Sequence, residues 1–140
     1  MKFGYVFIWV DDVTRAVEFY EQVFGVKRRF LTAGVKGLYA EMETGETTLA
    51  IADTQEAQEL FPGGFYANNP SQAPAALQLS FITDDVIAVY TEALQKGATP
   101  QMAPETKPWG QTIARLRDPH GILVSIATPM PHFEKQEARA

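Results

Sequence analysis

The sequence predicts an α+β domain that writes one β-α-β-β-β unit twice. Three observations carry this. The stretch "FIWVDDVTRAVEFY", from Phe7, has a faded copy, "FITDDVIAVYTEAL", from Phe81; aligning Asp11-Asp12-Val13 with Asp84-Asp85-Val86 sets an offset of 73 residues. Each copy runs from an apolar, β-branched segment through acidic residues into a stripe of helical spacing. Each stripe is followed by strand-like segments separated by glycine turns. A 73-residue period is too long for a solenoid repeat, so the chain reads as a duplicated half-domain.

Taken in order, residues 3–10, "FGYVFIWV", read as a strand. Asp12 is suited to cap a helix whose apolar face is Val13, Ala16, Val17, Tyr20 and Phe24, with Gly25 as its stop. "RRFLT", "GLYAEME" and "TTLAIAD" follow as strands, and Gly45 in "ETGET" marks a hairpin between the last two. In the second unit "ALQLSFIT" is a strand and Asp85 a cap. Val86, Val89, Tyr90, Ala93 and Leu94 form the stripe, and Gly97 ends it. "QTIARLR" and "ILVSIAT" are strands joined by the turn "DPHG"; the counterpart of "RRFLT" is the weak stretch Thr99 to Ala103.

The expected organisation is a single domain over 1–140, with modules at about 3–53 and 75–128. The connector, 54–74, is longer than most connections and carries Phe61, Phe65 and Tyr66. It is either a mobile tether or an aromatic lid. Residues 129–140, including His132, read as a polar, solvated tail. Each module offers one sheet with a helix on one face. The other face must be covered or must line a cavity.

Composition narrows the function classes. The chain has no cysteine, which excludes disulfides, thiol catalysis and cysteine-based zinc sites and fits a cytoplasmic protein. A formal charge of −5 argues against nucleic acid and mildly favours cationic ligands. No apolar run is long enough to span a membrane, and the apolar start runs directly into Asp11-Asp12 without a cleavage pattern.

The opening "YVFIWVDDVTRAVEFYEQVFGV" and the closing "WGQTIARLRDPHGILVSI" resemble the glyoxalase / bleomycin-resistance / extradiol-dioxygenase superfamily, also called vicinal oxygen chelate. The resemblance spans residues 3–128. It implies two βαβββ modules forming a curled mixed sheet around a pocket, with helices outside. It also implies one divalent metal held by His, Glu and sometimes Gln from the first and last strands of each module. Those positions fall here on Tyr5, Leu49, Gln78 and Ser125, with Ala50 replacing Leu49 if the register slips by one. Only Gln78 is a plausible neutral donor, because divalent metals need imidazole, carboxylate or thiolate ligands. The histidines are His120, expected to be an exposed turn residue, and His132 in the tail. The expectation is therefore no metal and no cofactor. The resemblance then points to the branch that binds without catalysis, dimeric proteins that sequester a cationic antibiotic in an aromatic groove built from both subunits.

Strand alternation sorts the faces. Tyr5, Phe7 and Trp9 share one face; so do Gln78, Ser80 and Ile82, and Leu123, Ser125 and Ala127. Tyr39, Glu41 and Glu43 are expected inward with Ile113 and Arg115, while Leu38, Ala40, Met42, Ala114 and Leu116 pack under the helices. Phe65 and Tyr66 from the connector and Trp109 in "KPWGQ" complete the expected ligand-binding set. The plainer alternatives are that Phe7 fills the core and that Arg115 and Glu41 form a salt bridge. The function read from this is a metal-free homodimer binding a small aromatic or cationic molecule, with no nucleic-acid or membrane partner. The alternatives are a metal-dependent glyoxalase or dioxygenase using Gln78 with Glu41, Glu43 or Glu46, or a filled scaffold with no cavity.

Overall fold

The computed structural model describes residues 1–131. The expected tail from 132 onward, with His132, lies outside the described residues. Module 1 comprises β1 (Tyr5–Val10), α1 (Val13–Phe24), β2 (Lys27–Ala33), β3 (Leu38–Glu43) and β4 (Thr48–Asp53). A short helix α2 (Thr54–Leu60) follows. Module 2 comprises β5 (Gln78–Ile82), α3 (Val86–Gln95), β6 (Thr99–Thr106), β7 (Thr112–Arg117) and β8 (Leu123–Ala127). Among the described residues no helix is long and apolar enough to cross a membrane.

The α+β, duplicated-module architecture is the one the repeat predicted. Each module is a mixed four-stranded sheet, ordered β1-β4-β3-β2 and β5-β8-β7-β6. The first strand runs parallel to the last in each, and the other pairs are antiparallel. Strand hydrogen bonding ends at β1 and β5, so two sheets stand side by side rather than one continuous sheet.

Local chemistry sets the helix limits. The Asp12 carboxylate accepts from the Arg15 N–H at 3.0 Å, and Gly25 (φ 67°) closes α1 by donating its N–H to the Glu21 carbonyl. Asp85 caps α3 in the same way through the Ala88 N–H. The buried stripe Val13, Ala16, Val17, Tyr20 and Val23 faces the sheets. Both helices share one core with Ile8, Val10, Met42, Ile51, Leu116, Val124 and Ile126. Phe24 stacks on Phe81 at 4.2 Å, joining α1 to the second sheet.

Two features differ from expectation. The connector begins with α2, capped by Asp53. "TQEAQEL" shows no apolar stripe, and only Ala57 is buried, so periodicity gave no signal for it. β6 also extends to Thr106, past Pro100 and Pro104. It lies at the sheet edge, where a missing N–H is tolerated, and its register shifts twice.

Candidate functional site

The two sheet faces opposite the helices are the open surfaces of the chain. On module 1, alternation places Tyr5, Phe7 and Trp9 on this face, with the ring centroids of Tyr5 and Phe7 5.9 Å apart and those of Phe7 and Trp9 5.6 Å apart. Tyr39 approaches Phe7 at 6.3 Å and Phe30 at 6.0 Å. Phe61, just beyond α2, meets Trp9 edge-on at 5.4 Å, and Phe65 meets Phe61 at 6.2 Å. These seven rings form one continuous strip. Tyr5 and Phe7 remain 51% and 40% exposed, so Phe7 is not a core filler.

A crevice of ≈ 150 Å³ opens between β1 and β5, bordered by Phe7, Trp9, Tyr66, Leu77, Gln78 and Leu123. A wider hollow lies at the Tyr5 end, beside Arg29, Glu46 and Thr48. A third, of ≈ 570 Å³, follows the β5 edge past Val6, Phe24 and Leu49.

The polar side of module 1 is internally satisfied. Glu41 accepts from Arg29 at 2.8 Å and from the Tyr39 hydroxyl at 2.7 Å, and Glu43 accepts from Arg29 Nε at 2.6 Å. Burial, followed by the Glu41 hydrogen bond and charge, raises the Tyr39 phenol above its ordinary range. The two carboxylates hold the Arg29 guanidinium more firmly protonated.

Module 2 carries a polar strip instead. Arg115 Nε donates to Gln78 Oε1 at 3.1 Å, Gln78 Nε2 to Ser80 Oγ at 3.3 Å, and Ser125 Oγ to Ser80 Oγ at 2.6 Å. Arg115 and Glu41 therefore have separate partners and make no salt bridge with each other.

Other expected positions are corrected. Leu49 lies on the helix side, in register with Val6 and Met42 and buried in the core. Ala50, opposite Phe7 and Glu41, occupies the open face. The register slip weighed above is the real one, because Gly45 stands five residues before the inward-facing Ala50, whereas Gly121 stands four before Ser125. His120 is half-buried rather than exposed. Its Nδ1 is enclosed without a hydrogen-bond partner among the described residues, and burial lowers its pKa. Trp109 is 52% exposed, its indole N–H held by Gln111 at 2.8 Å, apart from the ring strip. Tyr66 is fully exposed at the crevice mouth.

The connector is anchored rather than loose. Arg117 is buried and donates to the carbonyls of Asn69, Pro70, Gln72 and Gly121. Asn68 Nδ2 donates to the Trp9 carbonyl at 3.2 Å. Reasoning from sequence missed Arg117. It also missed the buried pair in which the Tyr20 hydroxyl donates to Asp118 at 2.6 Å. Strand alternation around Arg117 gives no sign that five backbone-directed bonds await its side chain.

A metal fits poorly at the positions the family resemblance implies. They hold a phenol, an alanine, a primary amide and a serine. The nearby acids Glu41 and Glu43 are both engaged by Arg29. Among the described residues no three His, Cys, Asp or Glu side chains gather to hold an ion.

Known proteins place this geometry. An uncharacterised protein of Mycobacterium bovis is 26% identical over 133 residues, covering 94% of this chain and 86% of its own. The crystal structure of a glyoxalase/bleomycin resistance protein/dioxygenase family enzyme from Burkholderia phytofirmans matches with a TM-score of 0.73 at 22% identity, over 91% of this chain and 98% of that one. TnmS3, an antibiotic binding protein from a Streptomyces species, matches with a TM-score of 0.64 at 23% identity, over 92% and 96%. The sequence profile of the first family matches residues 2–126, and the chain belongs to the Glyoxalase/Bleomycin resistance protein/Dioxygenase superfamily.

Proposed function

We propose that this protein captures a small aromatic molecule without a metal, on the ring strip of module 1. The observation that carries the reading is the open strip itself: Tyr5, Phe7, Trp9, Tyr39 and Phe30 line a sheet face whose metal positions lack metal-binding chemistry. Exposed rings at stacking distance bind planar ligands by dispersion and quadrupole attraction. Gln78, Leu123 and Tyr66 border the strip across the crevice, and Phe61 and Phe65 wall its Trp9 end. Glu41 is already shared between Arg29 and Tyr39, so a cationic ligand would rely on the ring faces alone. Antibiotic binding by the structurally similar TnmS3 is in keeping with this.

A second copy of the chain completes the site in this reading. Each chain leaves both inner faces open, with Tyr5 and Phe7 on one and Ile82, 60% exposed, on the other. A homodimer that sets the ring strip of one copy against the polar strip of its partner would enclose the ligand and cover both faces.

The test is a titration of chelator-treated protein with fused-ring aromatics, read by Trp9 emission in a Trp109→Phe background. Binding is expected, and Phe7→Ala should weaken it by roughly 10-fold, the value of one lost ring contact. If no aromatic compound changed the Trp9 signal, the reading would be overturned.

A further inference from the structure

The register equates the two inner faces row by row. In module 1 one row reads Phe7–Ala50–Glu41–Phe30; in module 2 the equivalent row reads Ser80–Ser125–Arg115–Met102. A carboxylate in one module thus stands where a guanidinium stands in the other. Their surroundings differ in kind. Glu41 is neutralised by Arg29. Arg115 is half-buried, and its partners are neutral: Gln78 Oε1 at 3.1 Å and, weakly, Met102 Sδ at 3.7 Å. Among the described residues no carboxylate pairs with it.

An inventory of donors and acceptors sharpens this. A guanidinium has five N–H groups, of which one has a good acceptor here and one a poor one. Ser80 Oγ accepts from both Ser125 and Gln78, which leaves its own O–H to donate. Gln78 spends its carbonyl on Arg115 and one amide N–H on Ser80, which leaves its other N–H. The strip therefore presents unspent donors and a positive charge, while Gln78 Oε1 and Ser80 Oγ are already accepting and Ser125 Oγ, which accepts nothing, is buried. That is the chemistry of an oxyanion site.

We propose that Arg115, with Gln78 and Ser80, binds the carboxylate of the captured ligand, which is therefore an aromatic carboxylate. The ligand class rests on the aromatic-capture reading; the donor set does not. Gln78 links the two surfaces, because it borders the same crevice as Phe7 and Trp9. The positive charge sits on the face where the family resemblance leads one to expect a metal, so an anionic oxygen keeps an electrostatic partner there without an ion.

The experiment uses 2-naphthoate and its neutral counterpart 2-naphthamide, with two separate readouts. Trp9 emission, in a Trp109→Phe background, reports the ring strip. The Arg115 Nε–Hε NMR signal, assigned by its loss in Arg115→Gln, reports the donor strip. We expect naphthoate to move both signals and to bind about 10-fold more tightly than naphthamide, as one charge-assisted contact allows. Arg115→Gln should abolish that preference, weakening naphthoate far more than naphthamide, and leave the melting temperature near wild type. Equal binding of the two compounds with the Arg115 signal unmoved overturns the carboxylate subsite and leaves aromatic capture standing. Movement of the Arg115 signal with naphthoate or benzoate, without any Trp9 response, supports the subsite and overturns capture on the rings. Silence in both readouts overturns both.

Discussion

Single side chains decide what each surface of this protein can do. The buried Tyr20–Asp118 pair ties α1 to the β7–β8 turn, and Asp118 also accepts the N–H groups of His120 and Ile122. Burial first, then the Asp118 charge and hydrogen bond, push the Tyr20 phenol well above its ordinary 10.0. The folded state therefore keeps the phenolic proton longer than the unfolded chain does. The stability that follows is complete below pH 10.0 and is lost as pH rises above it. Burial likewise raises the Asp118 carboxyl, so ionising that group costs stability as pH climbs from 3.8, a cost limited by its three donors. Tyr20→Phe should lose about 2 kcal/mol near neutral pH by urea unfolding, because a charged acceptor loses its donor. It should also lack the added alkaline sensitivity of the wild type above pH 10. Equal alkaline profiles for the two proteins would contradict this account of the pair.

At the scale of elements, the duplicated modules could be read from sequence because their signals are local. Asp12 and Asp85 announce helices, Gly25 and Gly45 sit where the chain turns, and alternation in β1, β3 and β7 sorts inner from outer faces, although Leu38, expected to pack under the helices, is exposed at the start of β3. What was illegible depends on contacts distant in sequence. The connector looked like a tether or a lid because nothing near residues 69–72 announces Arg117, 45–48 residues away. The face of Leu49 was misread because its place was counted from the turn glycine, which sits at a different point in the two hairpins, and a slip of one residue inverts the parity of a strand. Trp109 sits by itself in a loop, and its neighbour Gln111 claims the indole N–H. Arg117→Met should free the connector. It would leave the carbonyls of Asn69, Pro70 and Gln72 without their donor, at a cost of roughly 1–3 kcal/mol. Limited proteolysis should then cut between Phe61 and Pro74. Gly121→Ala should act in the same way, since at φ 93° an added Cβ would lie 2.6 Å from the Asn69 carbonyl carbon. Unchanged protease resistance in both variants would contradict the anchoring role of this contact.

As a whole molecule, the chain pairs one aromatic and one polar inner face across the seam between β1 and β5. In the proposed two-copy site, a second copy would supply each open face with its complement. Sedimentation equilibrium should therefore give twice the chain mass of 15.5 kDa. Ile82→Glu, which places a charge on the polar-strip face, should shift the equilibrium to the single chain. A monomer at all concentrations would contradict the two-copy site. The central claim is that binding needs the rings and no ion. The direct measurement is calorimetric titration of an aromatic carboxylate such as 2-naphthoate into chelator-stripped protein, repeated with Ni²⁺, Zn²⁺ or Mn²⁺ added. The account predicts the same affinity in every case and no tight one-to-one uptake of any metal by the protein itself. Binding that appeared only with a metal present, or tight stoichiometric metal uptake, would contradict it.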